Sequence, residues 1–336
     1  MLRLPDHWVW DSWYIHDGSY YHAFFLRASR ALRDPDRRHR RASIGHAVSP
    51  DLRDWSLWPD ALVHSDGPAW DDLATWTGSV VRGPDDRWHL FYTGLARADD
   101  GRIQRIGQAI SSDLVTWERS DHSVLAADPR WYETLHDAGA DDDEVWRDPW
   151  VLPDPDGDGW HMLITARVPD GDPLERGVVG HARSPDLFTW TIEPPLSRPA
   201  GFRWLEVPQV AIIDGHPLLL FSCLPDHVAG RRRTDADVGA VWAAPASTML
   251  GPFHLEAARP FPDPTLYAGR VVGALTGGWS LMGFRALDGG RFHGELTDPI
   301  PVRYDPTVGL HAAPRTPSVQ AGAPDPINQP EGSQHG

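Results

Sequence analysis

The stretch Ile44–Trp55 reads IGHAVSPDLRDW, and it returns as IGQAISSDLVTW at Ile106–Trp117 and as VGHARSPDLFTW at Val179–Trp190. In each copy a glycine begins an alternating run that reads as a β-strand, Asp-Leu marks a turn, and a tryptophan closes the unit. The closing tryptophans, Trp55, Trp117 and Trp190, are spaced 62 and 73 residues apart. A degenerate fourth copy, VGAVWAAPASTMLGPF, covers Val238–Phe253. Repetition at this period is a mark of arrays and propellers, because one unit cannot bury its own apolar face.

Working outward, an apolar, aromatic-rich run precedes each copy: YYHAFFLRA at Tyr20–Ala28, RWHLFYTGL at Arg87–Leu95, GWHMLITAR at Gly159–Arg167 and HPLLLFSCL at His216–Leu224. A fifth such run, GWSLMGFRAL at Gly278–Leu287, is followed by FHGELTDPIPV. These runs read as buried strands bounded by Gly, Asp and Pro. A turn and an earlier strand precede each one: DSWYI, TGSVVRG, RDPWVLP, EVPQVAII and AGRVVGAL. Five units of about four strands describe an all-β, five-bladed β-propeller. The expected domain is residues 1–311, followed by a disordered, Pro- and Gly-rich tail over 312–336.

In a propeller the first strand of every blade lines the central channel. Three of these strands begin with a carboxylate beside tryptophan: Asp11 in WVWDSW, Asp148 in WRDPW and Glu206 in WLEVPQ. Equivalent blade positions would bring all three into one funnel, with Trp76, Thr77 and Ser79 of WTGS from the second blade and Tyr267 from the fifth. Acids gathered in an aromatic pocket suit glycosidic bond cleavage, and their mutual repulsion separates protonated from ionised roles.

Composition removes several other classes. The net charge of −16 opposes nucleic acid and anionic membranes as partners. All 31 basic residues are arginine. No apolar run approaches the roughly 18 residues of a membrane span. A single cysteine, Cys223, leaves no internal disulfide. Strand-like sequence begins within ten residues of Met1, so the expected location is cytoplasmic. No GxSxG elbow or HExxH motif occurs. His22, His89 and His161 recur on second strands as structural histidines, and DPDGDG at Asp154–Gly159 reads as a turn, since Thr165 stands where a calcium loop needs glutamate. The acidic run 141–144 reads as a solvated loop. Neither metal nor cofactor is expected.

At these motifs the chain resembles the fructan- and sucrose-active glycoside hydrolases of families 32 and 68, which share a five-bladed propeller. VWDSW resembles the nucleophile motif of family 68, WTGS the aromatic-Ser-Gly-Ser segment of both families, WRDPW their Arg-Asp-Pro motif and WLEVPQV the acid/base segment of family 32. The resemblance, over about residues 8–305, implies that Asp11 is the nucleophile, Asp148 the transition-state stabiliser and Glu206 the acid/base. It also implies that Arg147, Trp76 and Ser79 bind substrate. Trp10, Trp13 and Gln209, which flank the acids, complete the expected binding set. The implied reaction is retaining double displacement through a covalent fructosyl-enzyme, with carboxyls roughly 5–5.5 Å apart. The partner is a small sugar or oligosaccharide, and hydrolysis and fructosyl transfer are both open. The alternatives are an inverting family 43-type arabinofuranosidase or xylosidase and a catalytically silent sugar-binding propeller.

Overall fold

The computed structural model describes residues 1–121, 124–137, 143–230, 233, 239–275, 277–288 and 291–314. Five four-stranded antiparallel sheets follow one another around a ring, each in strict sequence order from the innermost strand outward. The innermost strands are His7–His16, Ala74–Arg82, Trp146–Pro153, Glu206–Ile213 and Leu266–Gly273. The second strands are Tyr21–Ser29, Trp88–Leu95, Trp160–Arg167, His216–Ser222 and Trp279–Arg285. This is the expected five-bladed β-propeller. The fifth blade is completed by Ile300–Asp305 and Gly309–Ala312, so the last strand runs one residue beyond the expected end of the propeller. The rest of the expected tail, from residue 315 on, lies outside the described residues.

The repeated SxDL segment joins the third strand of a blade to its fourth. Oδ1 of Asp51, Asp113 and Asp186 each accepts two backbone N–H groups two and three residues on, at 2.7–2.9 Å. The following leucines, Leu52, Leu114 and Leu187, adopt left-handed φ of 65°, 63° and 69°. That conformation costs a leucine about 1–2 kcal/mol, which burial of its side chain offsets at about 1.5–3 kcal/mol. Trp117 and Trp190 then donate their indole N–H to the carbonyls of Leu114 and Leu187 at 3.1 and 3.0 Å. The sequence repeat is therefore a turn in which aspartate, leucine and tryptophan each have a bond or a buried seat.

The second-strand histidines are structural, as expected. His22 and His161 hydrogen-bond third-strand His46 and His181 at 2.9 and 2.8 Å, and His89 takes Gln108 in the same place. The turn aspartates Asp17, Asp85 and Asp154 meet the other ring nitrogen, Nε2, of these histidines. DPDGDG is the hairpin turn that carries Asp154, with its N–H donating to the Gly159 carbonyl.

Apolar residues pack between neighbouring blades, and the ring closes where the first blade meets the fifth. Leu2 bridges Leu296 there, and the Val9 N–H donates to the Gly294 carbonyl. The acidic run departs from expectation: residues 141 and 142 lie outside the described residues, but Glu144 is buried, and its N–H donates to the Arg102 carbonyl. Nearby, Glu133 accepts Nε of Arg167 at 2.7 Å and Nη1 of Arg176 at 2.6 Å, all three groups being buried. Arg167 also donates to the Arg203 carbonyl, so this cluster anchors the segment that carries Trp204 into the funnel. Removing one partner of a buried pair strands the others, so Glu133→Ala is expected to cost about 3–5 kcal/mol. Guanidinium unfolding would measure it, and a loss below about 1 kcal/mol would show that the cluster is not a structural anchor.

Candidate active site

Every innermost strand loses register with its neighbour at the same point. The shifts fall after Trp10, Trp76, Arg147, Glu206 and Tyr267, which pair with Leu26, Thr93, Thr165, Ser222 and Phe284. Each shift inserts one extra residue, the definition of a β-bulge, which re-aims side chains. The residues that follow are Asp11, Thr77, Asp148, Val207 and Ala268. Four of these are left-handed, with φ of 23°, 57°, 47° and 49° at Asp11, Asp148, Val207 and Ala268. For residues other than glycine such backbone is strained by about 1–3 kcal/mol and gathers at functional sites. The bulges create two stacked rings of side chains at the funnel floor. All of these residues except Ala268 line one cavity of about 660 Å³.

This register corrects one expectation. Asp11 and Asp148 occupy equivalent positions, but Glu206 sits one residue earlier, level with Arg147 and Tyr267, and Val207 takes the place equivalent to the two aspartates. The shift decides its partners. Arg147 Nη2 donates to Glu206 Oε1 at 2.5 Å from the preceding blade, and the Tyr267 hydroxyl donates to Oε2 from the following one. Burial, then Glu206, hold the Tyr267 phenol far above its ordinary pKa, so it keeps the proton it donates. Burial opposes the charge of Arg147, but Glu206 and Asp148 outweigh it, so the guanidinium stays charged.

Asp148 is immobilised. Its Oδ2 accepts the Thr165 hydroxyl at 3.0 Å and the Val207 N–H at 3.2 Å, with Arg147 Nε at 3.5 Å. Burial raises its pKa, Arg147 offsets part of that rise, and Glu206 adds to it. Asp11 differs: the Thr77 hydroxyl donates to its Oδ2 at 2.7 Å, and no ion pair to it is found among the described residues. Burial, followed by repulsion from Asp148, pushes its pKa up to about 7, against the lowering by Thr77.

Of the expected binding residues, Trp10, Trp76 and Arg147 line the cavity. Three others do not. Ser79 is buried and accepts the Val151 N–H at 3.1 Å, joining the second blade to the third. Gln209 bonds both the N–H and the carbonyl of Val271, at 2.7 and 2.9 Å, joining the fourth blade to the fifth. Trp13 stacks on Phe24 inside the first blade. These positions lie beyond the bulge, where the strand regains its pairing and side chains face neighbouring blades instead of the funnel.

Other residues of the site carried no signal as motifs. A 3₁₀ segment, Pro35–Arg41, brings Arg38 and His39 over the floor. Arg38 lies 4.0 Å from the Phe292 ring centroid and 5.5 Å from that of Trp10, and the Trp76 indole N–H donates to the His39 carbonyl at 2.7 Å. Across the funnel Trp204 stacks on His227 at 4.4 Å. The run RRHRR at 37–41, conspicuous in so acidic a chain, was the available clue to the first group. Among the described residues no group of three or more His, Cys, Asp or Glu is arranged to hold a metal ion.

An insoluble isoenzyme of beta-fructofuranosidase from Arabidopsis thaliana is 28% identical to this chain over 193 residues, 56% of this chain and 32% of that protein. Sucrose-6-phosphate hydrolase of Bacillus subtilis (strain 168) is 31% identical over 187 residues, 53% of this chain and 34% of that one. The matched region thus spans about a third of the length of each relative. Among solved structures, the inulosucrase from Halalkalicoccus jeotgali bound to kestose superposes with a TM-score of 0.70 at 22% identity, covering 91% of this chain and 88% of that one, and so shares its fold. The model of the glycosyl hydrolases family 32 N-terminal domain matches residues 11–241, from the bulge aspartate of the first blade to the third strand of the fourth. With most of its propeller inside that match, the chain belongs to glycosyl hydrolase family 32.

Proposed function

We propose that this chain is a retaining glycoside hydrolase of β-fructofuranosides, with Asp11 as nucleophile, Glu206 as acid/base and Asp148 as the transition-state stabiliser that holds sugar hydroxyls. The observation that carries the reading is the contrast among three acids in one cavity. Asp148 is fixed by three donors, Glu206 is held between Arg147 and Tyr267, and Asp11 has a single hydroxyl partner. A nucleophile needs a free oxygen to form a bond, and only Asp11 is lightly held. Membership of family 32 weighs against the inverting family 43 alternative, and retention of all three acids weighs against a silent binding propeller.

In the first half-reaction Glu206 gives a proton to the leaving oxygen while Asp11 attacks the anomeric carbon, forming a fructosyl ester. In the second, Glu206 takes a proton from water or an acceptor sugar, which displaces Asp11. Asp148 and Arg147 grip sugar hydroxyls, and Trp10 and Trp76 give the ring apolar walls.

The test is an assay on sucrose, inulin, levan, difructose anhydrides and aryl arabinofuranosides, with the product anomer followed by NMR. Release of fructose with retention is expected. Inversion, or activity confined to arabinosides, would sink the proposal. Asp11→Asn should lower kcat on the order of 10⁴-fold or more, yet stabilise the fold above pH 7. A raised folded pKa means that ionising Asp11 destabilises the native state, progressively as pH rises from 3.8 to about 7. The unfolding midpoint of the asparagine variant should exceed wild type by a few degrees at pH 8, at about 2–4 °C per kcal/mol, and match it near pH 4. A midpoint gain equal at both pH values would contradict the ionisation argument. Thr77→Val removes the one hydrogen bond that favours the charged form, so the acid limb of kcat/KM, set near pH 7 by Asp11, should move up by about half a unit to one unit. An unmoved limb would mean that another group sets it.

A further inference from the structure

Behind the acids, away from the funnel mouth, the fold buries a second arginine that no motif announces. Arg270 follows the bulge of the fifth blade and is 1% exposed. Its Nη1 donates to the Pro208 carbonyl of the fourth blade at 2.6 Å, and its guanidinium lies 4.9 Å from the ring centroid of Trp150 of the third. Tyr14 of the first blade is near enough to act on its charge. Contact with the third and fourth blades, from a strand of the fifth, places the group in the central channel beyond the bulges. Its Nε and Nη2 are buried without a hydrogen-bond partner in the structure. A charge so poorly satisfied is costly, and a buried cation needs a compensating field.

The available field comes from the carboxylates. Burial pulls the Arg270 pKa down to about 10, and Asp148, Asp11 and Tyr14 act against that fall. Pairwise electrostatic interaction is reciprocal, so the cation that these acids stabilise must favour their ionised forms by the same amount. Thr77 bonds Asp11 directly, and the charged or titratable groups that act on it are Asp148, Glu206, Tyr267, Arg38 and Arg270. Arg38 is the cation on the funnel side, where solvent and bound sugar reach it, and Arg270 is the cation on the sealed side. We propose that Arg270 is a positioning residue of this site, a fixed counter-charge in the propeller channel that keeps the nucleophile Asp11 ionised from behind. The inference rests on the proposed role of Asp11 and needs no contact between Arg270 and substrate.

The experiment compares wild type, Asp11→Asn, Arg270→Met and the double variant, together with Arg270→Lys. On a fructoside, the acid limb of kcat/KM should rise by about one pH unit in Arg270→Met and return towards wild type in Arg270→Lys. Independently of activity, the fall in unfolding midpoint caused by Arg270→Met should be larger at pH 8 than at pH 5, and smaller when Asp11 is already asparagine. Equal falls in both backgrounds, with an unmoved limb, would reduce Arg270 to packing and overturn the proposal. Wild-type inactivity on every fructoside with the midpoint coupling intact would instead count against the proposed function alone. If Arg270→Met does not fold, Arg270→Gln takes its place in both backgrounds: a raised limb with a smaller midpoint fall beside Asp11→Asn supports the counter-charge, and an unmoved limb with equal falls refutes it.

Discussion

One extra residue in each innermost strand is the constraint on which this site depends. A regular strand would send successive side chains to opposite faces, one towards each neighbouring blade, and would leave the channel lined by backbone. The bulge breaks that alternation once per blade at a common height. It turns Asp11, Thr77 and Asp148 into the funnel beside Trp10, Trp76 and Arg147. The strained backbone at Asp11 and Asp148 is held by the ladders on either side of it, which resume within three residues. Rigidity of this kind suits a site that must hold like charges together, since a flexible loop would relax by separating them.

The electrostatics follow from the two rings. Three carboxylates share a cavity with Arg147 in their midst and Arg38 at its wall, while Arg270 is buried in the channel against Pro208. Hydrogen bonds run between neighbouring blades within each ring, from Thr77 to Asp11, from Val207 to Asp148, and from Arg147 and Tyr267 to Glu206. Each acid thus depends on a blade other than its own, and correct assembly of the propeller is a condition for correct ionisation. The chemical contrast between Asp11, near pKa 7, and the firmly bonded Asp148 is set by how many donors each neighbouring blade supplies.

Much of this was legible in the sequence, and what was not has a physical cause. The SxDL-W repeat revealed the blade count because its turn requires aspartate for the backbone bonds and an apolar leucine for the buried left-handed position. The acids were legible because each lies beside tryptophan on an innermost strand. The height of Glu206 was not: a bulge shifts register by one residue, and no residue type marks whether an acid stands before the bulge or within it. The same blindness made Ser79, Gln209 and Trp13 look like sugar ligands, although the resumed alternation turns them towards neighbouring strands. Arg38 and His39 come from an insertion between the second and third strands of the first blade, outside the repeating pattern. Arg270 lies in an ordinary-looking AGRVVG strand, and its importance is visible only where five strands meet.

The bonding of Glu206 also bears on how it could serve the proposed reaction. Both of its oxygens accept hydrogen bonds, Oε1 from Arg147 and Oε2 from Tyr267. Each carboxylate oxygen has two lone-pair sites, so each accepts one of these donors and still offers a site towards the funnel. The two donors therefore fix the direction in which the remaining sites point. Tyr267 holds its own proton firmly, and Arg147 is tied at Nη1 to Gln104 and packed over Trp204. Of the two, Tyr267 has the freer side chain, because its hydroxyl can turn to a sugar oxygen without breaking another bond. A sugar hydroxyl entering beside Glu206 would then meet in Tyr267 the donor able to change partners, while Arg147 keeps the carboxylate in place.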